Sequence, residues 1–413
     1  MTRQDDPSQG LADYNAPSSD VEITASLKWK PVKGGYEKFV ESEGIPIFRG
    51  IGVRDTREMD LGEWARRDAK GAYLLLDGLD GLKGMYVMEI PPTKATAPEK
   101  KLYHEFFIVV EGRGTTEIWI EGDSASRQSF EWQAGSMFRI PPNVHYRMIN
   151  ASRQRALLIN ANNSPAIFNL FPHDFIFKND FSFPEFQAGK KFYEFDSRVV
   201  ANPYDKRAAI RANFYPDIAN CELPYDNQRA PGYRRITTMW VGFENEPTGG
   251  FVGEYPIGRY SMGHSHWAGA VLVCLKGEGY TYNWPRELGF TPWKDGHEDE
   301  VRVVDYVAGG LVAAAPGGGL WYHQHFGVGT TPFRVCNFWG GPTPSTPKFI
   351  DEKTGMSALA TTREGGWSID YRDEDPFVRQ EFARRLQAVG RSSEMPPEIY
   401  DENSAGKFRV VSM

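Results

Sequence analysis

Cysteine is scarce in this 413-residue chain: three residues, Cys221, Cys274 and Cys336, an odd number without paired spacing. That excludes a disulfide framework or a zinc knuckle as the basis of the fold, and it fits a reducing compartment. No apolar run approaches the roughly 18 residues that a membrane helix needs, so no membrane is expected as a partner. There is no long basic block and the net charge is −7, so nucleic acid is not expected either. The first twenty residues, MTRQDDPSQGLADYNAPSSD, are polar and acidic and lack the apolar core of a secretory signal. They read as a flexible arm on a cytoplasmic protein. Histidine is also scarce, at eight residues, and its placement proves informative.

What is abundant points to β structure. Glycine (42) and proline (28) are too frequent for a mostly helical chain and suit one with many turns, and aromatics at 14% suit a β-rich core. Residues 72–76, 85–90, 105–110, 115–120 and 156–160 are rich in β-branched and aromatic residues between Gly/Pro clusters, and a second strand-rich region covers 234–341. The expected organisation is a polar arm and lead-in (1–64), a β domain (65–165), an aromatic connector (166–232), a second β domain (233–341) and a C-terminal extension (342–413). Within the extension, Phe377, Val378, Phe382, Leu386 and Val389 recur at helical spacing, with Asp375 to cap, Pro376 in the first turn and Gly390 to stop, predicting an amphipathic helix over 376–389. The Arg384–Arg385 pair reads as its solvated face.

An internal repeat links the two β regions. Glu111-Gly112-Arg113-Gly114 ends one apolar strand and Lys276-Gly277-Glu278-Gly279 ends another. Downstream, Gly135 leads six residues on to Pro141, and Gly310 leads six residues on to Pro316. Two copies of one β unit explain the chain better than unrelated domains. In the second copy His264 and His266 sit two apart, as do His323 and His325; on strands, each pair points to one face. Two such pairs facing one interior suit a first-row transition metal.

This pattern resembles the cupin superfamily, and the chain resembles a bicupin. The family pattern is Gly, five residues, His-x-His, three or four residues, Glu, six residues, Gly; its second block is Gly, five residues, Pro-x-Gly, two residues, His, three residues, Asn. The second copy matches at Gly258, His264, His266, Gly277, Gly310, Pro316 and Gly318. The resemblance implies an all-β fold of two jelly-roll barrels, each able to hold a ligand inside. Counted strictly from Pro316, the closing ligand slot falls on Trp321; a two-residue bulge in Gly317-Gly318-Gly319 moves His323 into it, and His323 is the expected third ligand beside His264 and His266.

The Glu slot is Ala270, so the resemblance implies a three-His site. His-x-His followed by Ala, with a later Trp321-Tyr322-His323-Gln324-His325, is similar to gentisate 1,2-dioxygenase and its relatives. That likeness implies Fe(II), with Mn, Ni, Co or Zn as other ions such a site accepts, O2 as co-substrate, and ring cleavage of a hydroxylated aromatic or enolic small molecule. It implies His325 as a catalytic acid–base group, with Trp321, Gln324 and Arg334 expected at the substrate. The arginine that holds the substrate carboxylate in those enzymes is Leu272 here, so either the carboxylate is held elsewhere, with Arg334 as one candidate, or the substrate has none. The alternatives are a lyase, decarboxylase or isomerase using the ion as a Lewis acid, and a bicupin that binds a small molecule without turning it over. A homo-oligomer, dimer or tetramer, is expected.

The first copy reads as degenerate. Its His-x-His slots carry Glu99 and Lys101, its Glu slot Glu105, and its closing His slot Tyr146. His104 and His145 each fall one residue out of register, which on a strand turns them to the opposite face. His173 and His297 lie outside both motifs and read as surface residues.

Overall fold

The computed structural model describes residues 33–79, 81, 83–180, 192–201, 208–223, 234–239, 250–265, 270–314, 316, 320–338 and 360–402. His266, Trp267, Gly317–Gly319 and Trp339 lie outside these residues.

The fold is mainly β, with few helices, and its strands form two similar halves, each of one large and one small sheet. The first is built from β1 (Ile47–Gly50), β3 (Gly62–Trp64), β4 (Ala69–Leu76), β5 (Gly84–Ile90), β6 (Glu105–Glu111), β7 (Arg113–Ile120), β8 (Asp123–Gln133), β9 (Met137–Ile140), β10 (His145–Ile149) and β11 (Ala156–Asn162), while the short β2 (Gly52–Val53) joins the other half. The connector supplies β12 (Val199–Ala201), β13 (Ala208–Arg211) and β14 (Phe214–Tyr215). The second barrel holds β15 (Arg234–Met239), β16 (Gly250–Tyr255), β17 (Ala270–Lys276), β18 (Glu278–Pro285), β19 (Arg302–Val307), β20 (Leu311–Ala314), β21 (Trp321–Gly327) and β22 (Phe333–Phe338).

The repeat is visible in the strand order. The run β5-β11-β6-β9 in one large sheet matches β16-β22-β17-β20 in the other, and the small sheet β10-β7-β8 matches β21-β18-β19. Gly112 and Gly277 turn the chain between corresponding strands with φ of +85° and +79°, and a Cβ at Gly277 would stand 2.7 Å from the Pro332 carbonyl oxygen. Glycine is required there because an L side chain is strained in that region of backbone space.

The two large sheets face each other across one pooled apolar core. Val252, Val271, Val273 and Cys336 of the second barrel pack with Val87, Ile108, Leu157 and Ile159 of the first. Strands also cross over: β2 pairs with β20, whereas β14, from the connector, pairs with β9. Inside the second barrel a separate apolar floor is made by Leu272, Cys274, Tyr306, Val312 and Phe333.

The C-terminal helix, Pro376–Ala388, begins where the Asp375 carboxylate accepts from the Phe377 N–H and carries proline in its first turn. It buries Val378, Phe382 and Leu386 against the outer face of the small sheet, on Tyr260, Tyr280 and Phe326. Phe377 remains 36% exposed and stacks on Trp293. The arginine pair divides: Arg384 is exposed and bonded to Glu381, whereas Arg385 lies over the Tyr280 ring and pairs with Asp305. The reading of both as a solvated face is corrected for Arg385, whose long stem covers apolar surface. No helix of the described residues is long and apolar enough to cross a membrane.

Candidate metal centre

The segment 261–265 runs beside β21, and His264 and His323 pair across it. Each N–H donates to the other's carbonyl at 2.9 Å, and the ring centroids are 4.3 Å apart. On its far side His264 pairs with Ser368 of the C-terminal extension: the Ser265 N–H donates to the Trp367 carbonyl at 3.1 Å, and the Ile369 N–H to the Gly263 carbonyl at 2.7 Å. On β18, Asn283 stands opposite His323 and Thr281 opposite His325. Residues directly opposite one another across strands present their side chains to one face. Asn283, His323, His264 and Ser368 therefore form a transverse row, every member buried.

His325 is buried on the same face as His323, with ring centroids 5.3 Å apart. The Tyr306 hydroxyl is 3.4 Å from its Nδ1. His264 Nδ1 lies 3.1 Å from the Met262 carbonyl, which can only accept, so Nδ1 carries the proton and Nε2 presents its lone pair. A histidine held in this way is suited to bind a cation through Nε2. Among the described residues no three His, Cys, Asp or Glu side chains converge as a ready metal site. The expected third imidazole, His266, lies outside the described residues.

Three expected substrate residues are placed as follows. Trp321 sits half-buried at the start of β21, on the face of His323, with the Arg302 guanidinium 5.1 Å from its ring centre. Gln324 alternates to the other face, where its amide donates to the Ser261 carbonyl at 3.0 Å and to Glu374 at 2.7 Å. The expectation that it lines the site is corrected: on a strand, residues 323 and 325 share a face that 324 cannot. Arg334 is corrected as well. Its guanidinium is held by Glu254 at 2.7 Å and by the carbonyls of Ile218 and Cys221, so it cannot replace the missing carboxylate clamp. Leu272 is buried in the barrel floor.

Several residues were missed by sequence reasoning. Asn283, Thr281 and Tyr306 occupy interior-facing positions of β18 and β19, and alternation from the His-bearing strand would have shown this had the pairing been known. Ser368 carries no sequence signal, because its segment shows no period and its placement depends on a contact more than forty residues from the nearest histidine in sequence.

The first barrel repeats the geometry with other chemistry. Glu99 and Tyr146 form the same reciprocal bridge as His264 and His323, with hydrogen bonds of 3.1 and 3.0 Å. Glu105 opens β6 as Ala270 opens β17. His104 and His145 point elsewhere: His104 meets Arg139 at 2.9 Å, and His145 stacks on Trp119 with ring centroids 5.6 Å apart. His173 and His297 are exposed.

No family model matches the chain, and no curated protein matches it in sequence. Among solved structures, the chain is similar to an oxalate decarboxylase, at 9% identity with a TM-score of 0.44, covering 73% of this chain and 80% of that one. Another is the oxalate decarboxylase of Bacillus subtilis, described with Mn(II) centres, at 10% identity and a TM-score of 0.45, with 73% and 80% covered. A third is vicilin from hazelnut, Corylus avellana, at 12% identity and a TM-score of 0.43, with 69% and 84% covered. Likenesses of this extent assign neither activity nor metal to this chain.

Proposed function

We propose that the second barrel is the active site of a metal-dependent enzyme acting on a small molecule that binds through oxygen. The observation that carries this reading is the buried row of imidazoles: His264 and His323 are locked together by their main chains, and His325 lies on the same face. His264, His266 and His323 would hold the ion, which supplies a Lewis acid that polarises a bound oxygen. Imidazole donors accept Fe(II), Mn, Co, Ni and Zn, so the donor set leaves the ion open. His325, with the Tyr306 hydroxyl behind it, is placed to take a substrate proton and return it. Asn283 and Thr281 orient oxygen-bearing groups, and the buried Tyr306, Phe333 and Leu272 exclude water.

The substrate reading shifts with Arg334 and Leu272. Neither offers a cation to a distal carboxylate, which favours a lyase, decarboxylase or isomerase on a small hydroxylated or enolic molecule over cleavage of an aromatic acid. A dioxygenase remains the second reading, favoured by the buried Ala270 at the position where a fourth, carboxylate ligand would stand. Metal analysis, with aerobic and anaerobic assays on hydroxylated and enolic compounds, separates these. Turnover that survives removal of O2 supports the Lewis-acid reading, and O2 uptake matching product formation replaces it with the dioxygenase. A chain that retains no metal overturns both.

A further inference from the structure

In the first barrel, the positions corresponding to the imidazoles gather around an amino group. Lys101 is buried, and its Nζ lies 2.7 Å from Glu99 Oε1 and 2.8 Å from Glu105 Oε2. The Tyr146 hydroxyl donates to Glu99 at 2.8 Å and lies 2.5 Å from Glu105, and the Tyr86 hydroxyl donates to Glu105 at 2.6 Å. Arg67, fully buried, pairs with Glu99 and donates to the Tyr146 oxygen at 3.1 Å. At the edge Arg66 pairs with Glu99 and with Glu43.

The position of this amino group is set by the repeat. Glu99 and Tyr146 bridge as His264 and His323 do, so Lys101, two residues after Glu99, holds the place of His266. In the second barrel that position would bring a donor to a cation; here it brings the amino group. Glu43, Glu99 and Glu105 are met by Arg66, Arg67 and Lys101; burial pushes the Lys101 pKa down, and the contact with Glu105 pulls against that. A divalent ion added here would face Arg67 and Lys101 at hydrogen-bonding distance from its own ligands. Those ligands are already saturated by N–H and O–H donors.

We propose that the Lys101 amino group, clamped between Glu99 and Glu105, takes the position of a metal ion in the first barrel, so that this barrel binds no metal of its own. The inference stands on the first barrel's geometry alone and survives a failure of the catalytic reading above.

The test uses Mn2+ as the probe and the full-length chain with His323→Ala to silence the second barrel. Titration calorimetry and EPR are expected to find no stoichiometric Mn2+ in His323→Ala. Adding Lys101→Ala vacates the position between the carboxylates, and about one Mn2+ per chain is expected to bind there, to be lost again when Glu105→Gln is added. If Lys101→Ala does not fold in metal-free buffer, the expected result is recovery of the native circular dichroism melt on adding Mn2+. Stoichiometric Mn2+ in His323→Ala that is removed by Glu105→Gln overturns the proposal. So does a folded Lys101→Ala chain that binds none, or an unfolded one that Mn2+ does not restore.

Discussion

His264 and His323 exchange both of their main-chain hydrogen bonds, so each imidazole is positioned by the backbone of the other. Replacing either ring leaves those backbone bonds in place. His323→Ala is therefore expected to keep the fold and strip the bound metal, read by elemental analysis alongside an unchanged far-ultraviolet spectrum. His325→Gln is expected to retain metal and lose turnover by 10²–10⁴-fold, the usual worth of a general acid–base group. Loss of metal in His325→Gln would move that residue into the ligand set.

Glu374 ties the C-terminal extension to the back of β21, accepting from Gln324 and from the Tyr260 hydroxyl. Burial raises its pKa to about 7, against the lowering pull of those two bonds and of Arg379. A raised carboxyl favours the protonated form in the folded state, so its contribution is intact at low pH and is lost as pH rises from the unfolded value, ~4.3, through 7. Glu374→Gln, which keeps a neutral hydrogen-bonding head, is expected to flatten that loss. Relative to the parent it gains stability on the order of 3 kcal/mol at pH 8 and little at pH 4. Denaturant midpoints at the two pH values check the sign.

Glu105 behaves in the opposite sense. Burial works to raise its carboxyl, but Lys101 and Arg67 outweigh burial and hold it below the usual range. Stability from this group is present above the unfolded value, ~4.3, and is lost as pH falls below it. Glu105→Gln takes from the buried Lys101 one of its two carboxylates and is expected to cost about 3–5 kcal/mol at pH 7, with the cost shrinking in acid. Thermal melts across the acid range measure it.

Arg334 provides a test of placement. Bound to Glu254 and two carbonyls, it is structural, so Arg334→Met is expected to lower stability by about 3–5 kcal/mol through the stranded Glu254, with KM unchanged in the molecules that remain folded. A raised KM with unchanged stability would return Arg334 to the substrate site.

Much of this was legible in the chain. The glycines after β6 and β17 and the spacing to Pro141 and Pro316 announced a repeated β unit. A shift of two residues preserves the face of a strand, so Trp321 and His323 share one, and the structure pairs His323 with His264 across it. Gln324 could have been assigned correctly from alternation alone. Arg334 could not, because Glu254 lies eighty residues away and only the pairing of β16 with β22 brings them together. The repeat already put Glu99, Lys101, Glu105 and Tyr146 at corresponding positions, but Arg67, which joins them from the lead-in to β4, carried no signal in the sequence.

The pooled core between the large sheets makes the two halves depend on each other. The first half carries carboxylates and a buried lysine where the second carries imidazoles, yet the second depends on it. Here its β5, β6 and β11 supply one wall of the interior on which β16, β17 and β22 rest, and β2 reaches across to finish the other sheet. A change in the packing of one half is thus felt by the other. Neither could be cut away, inherited alone or expressed alone without opening an apolar face to water.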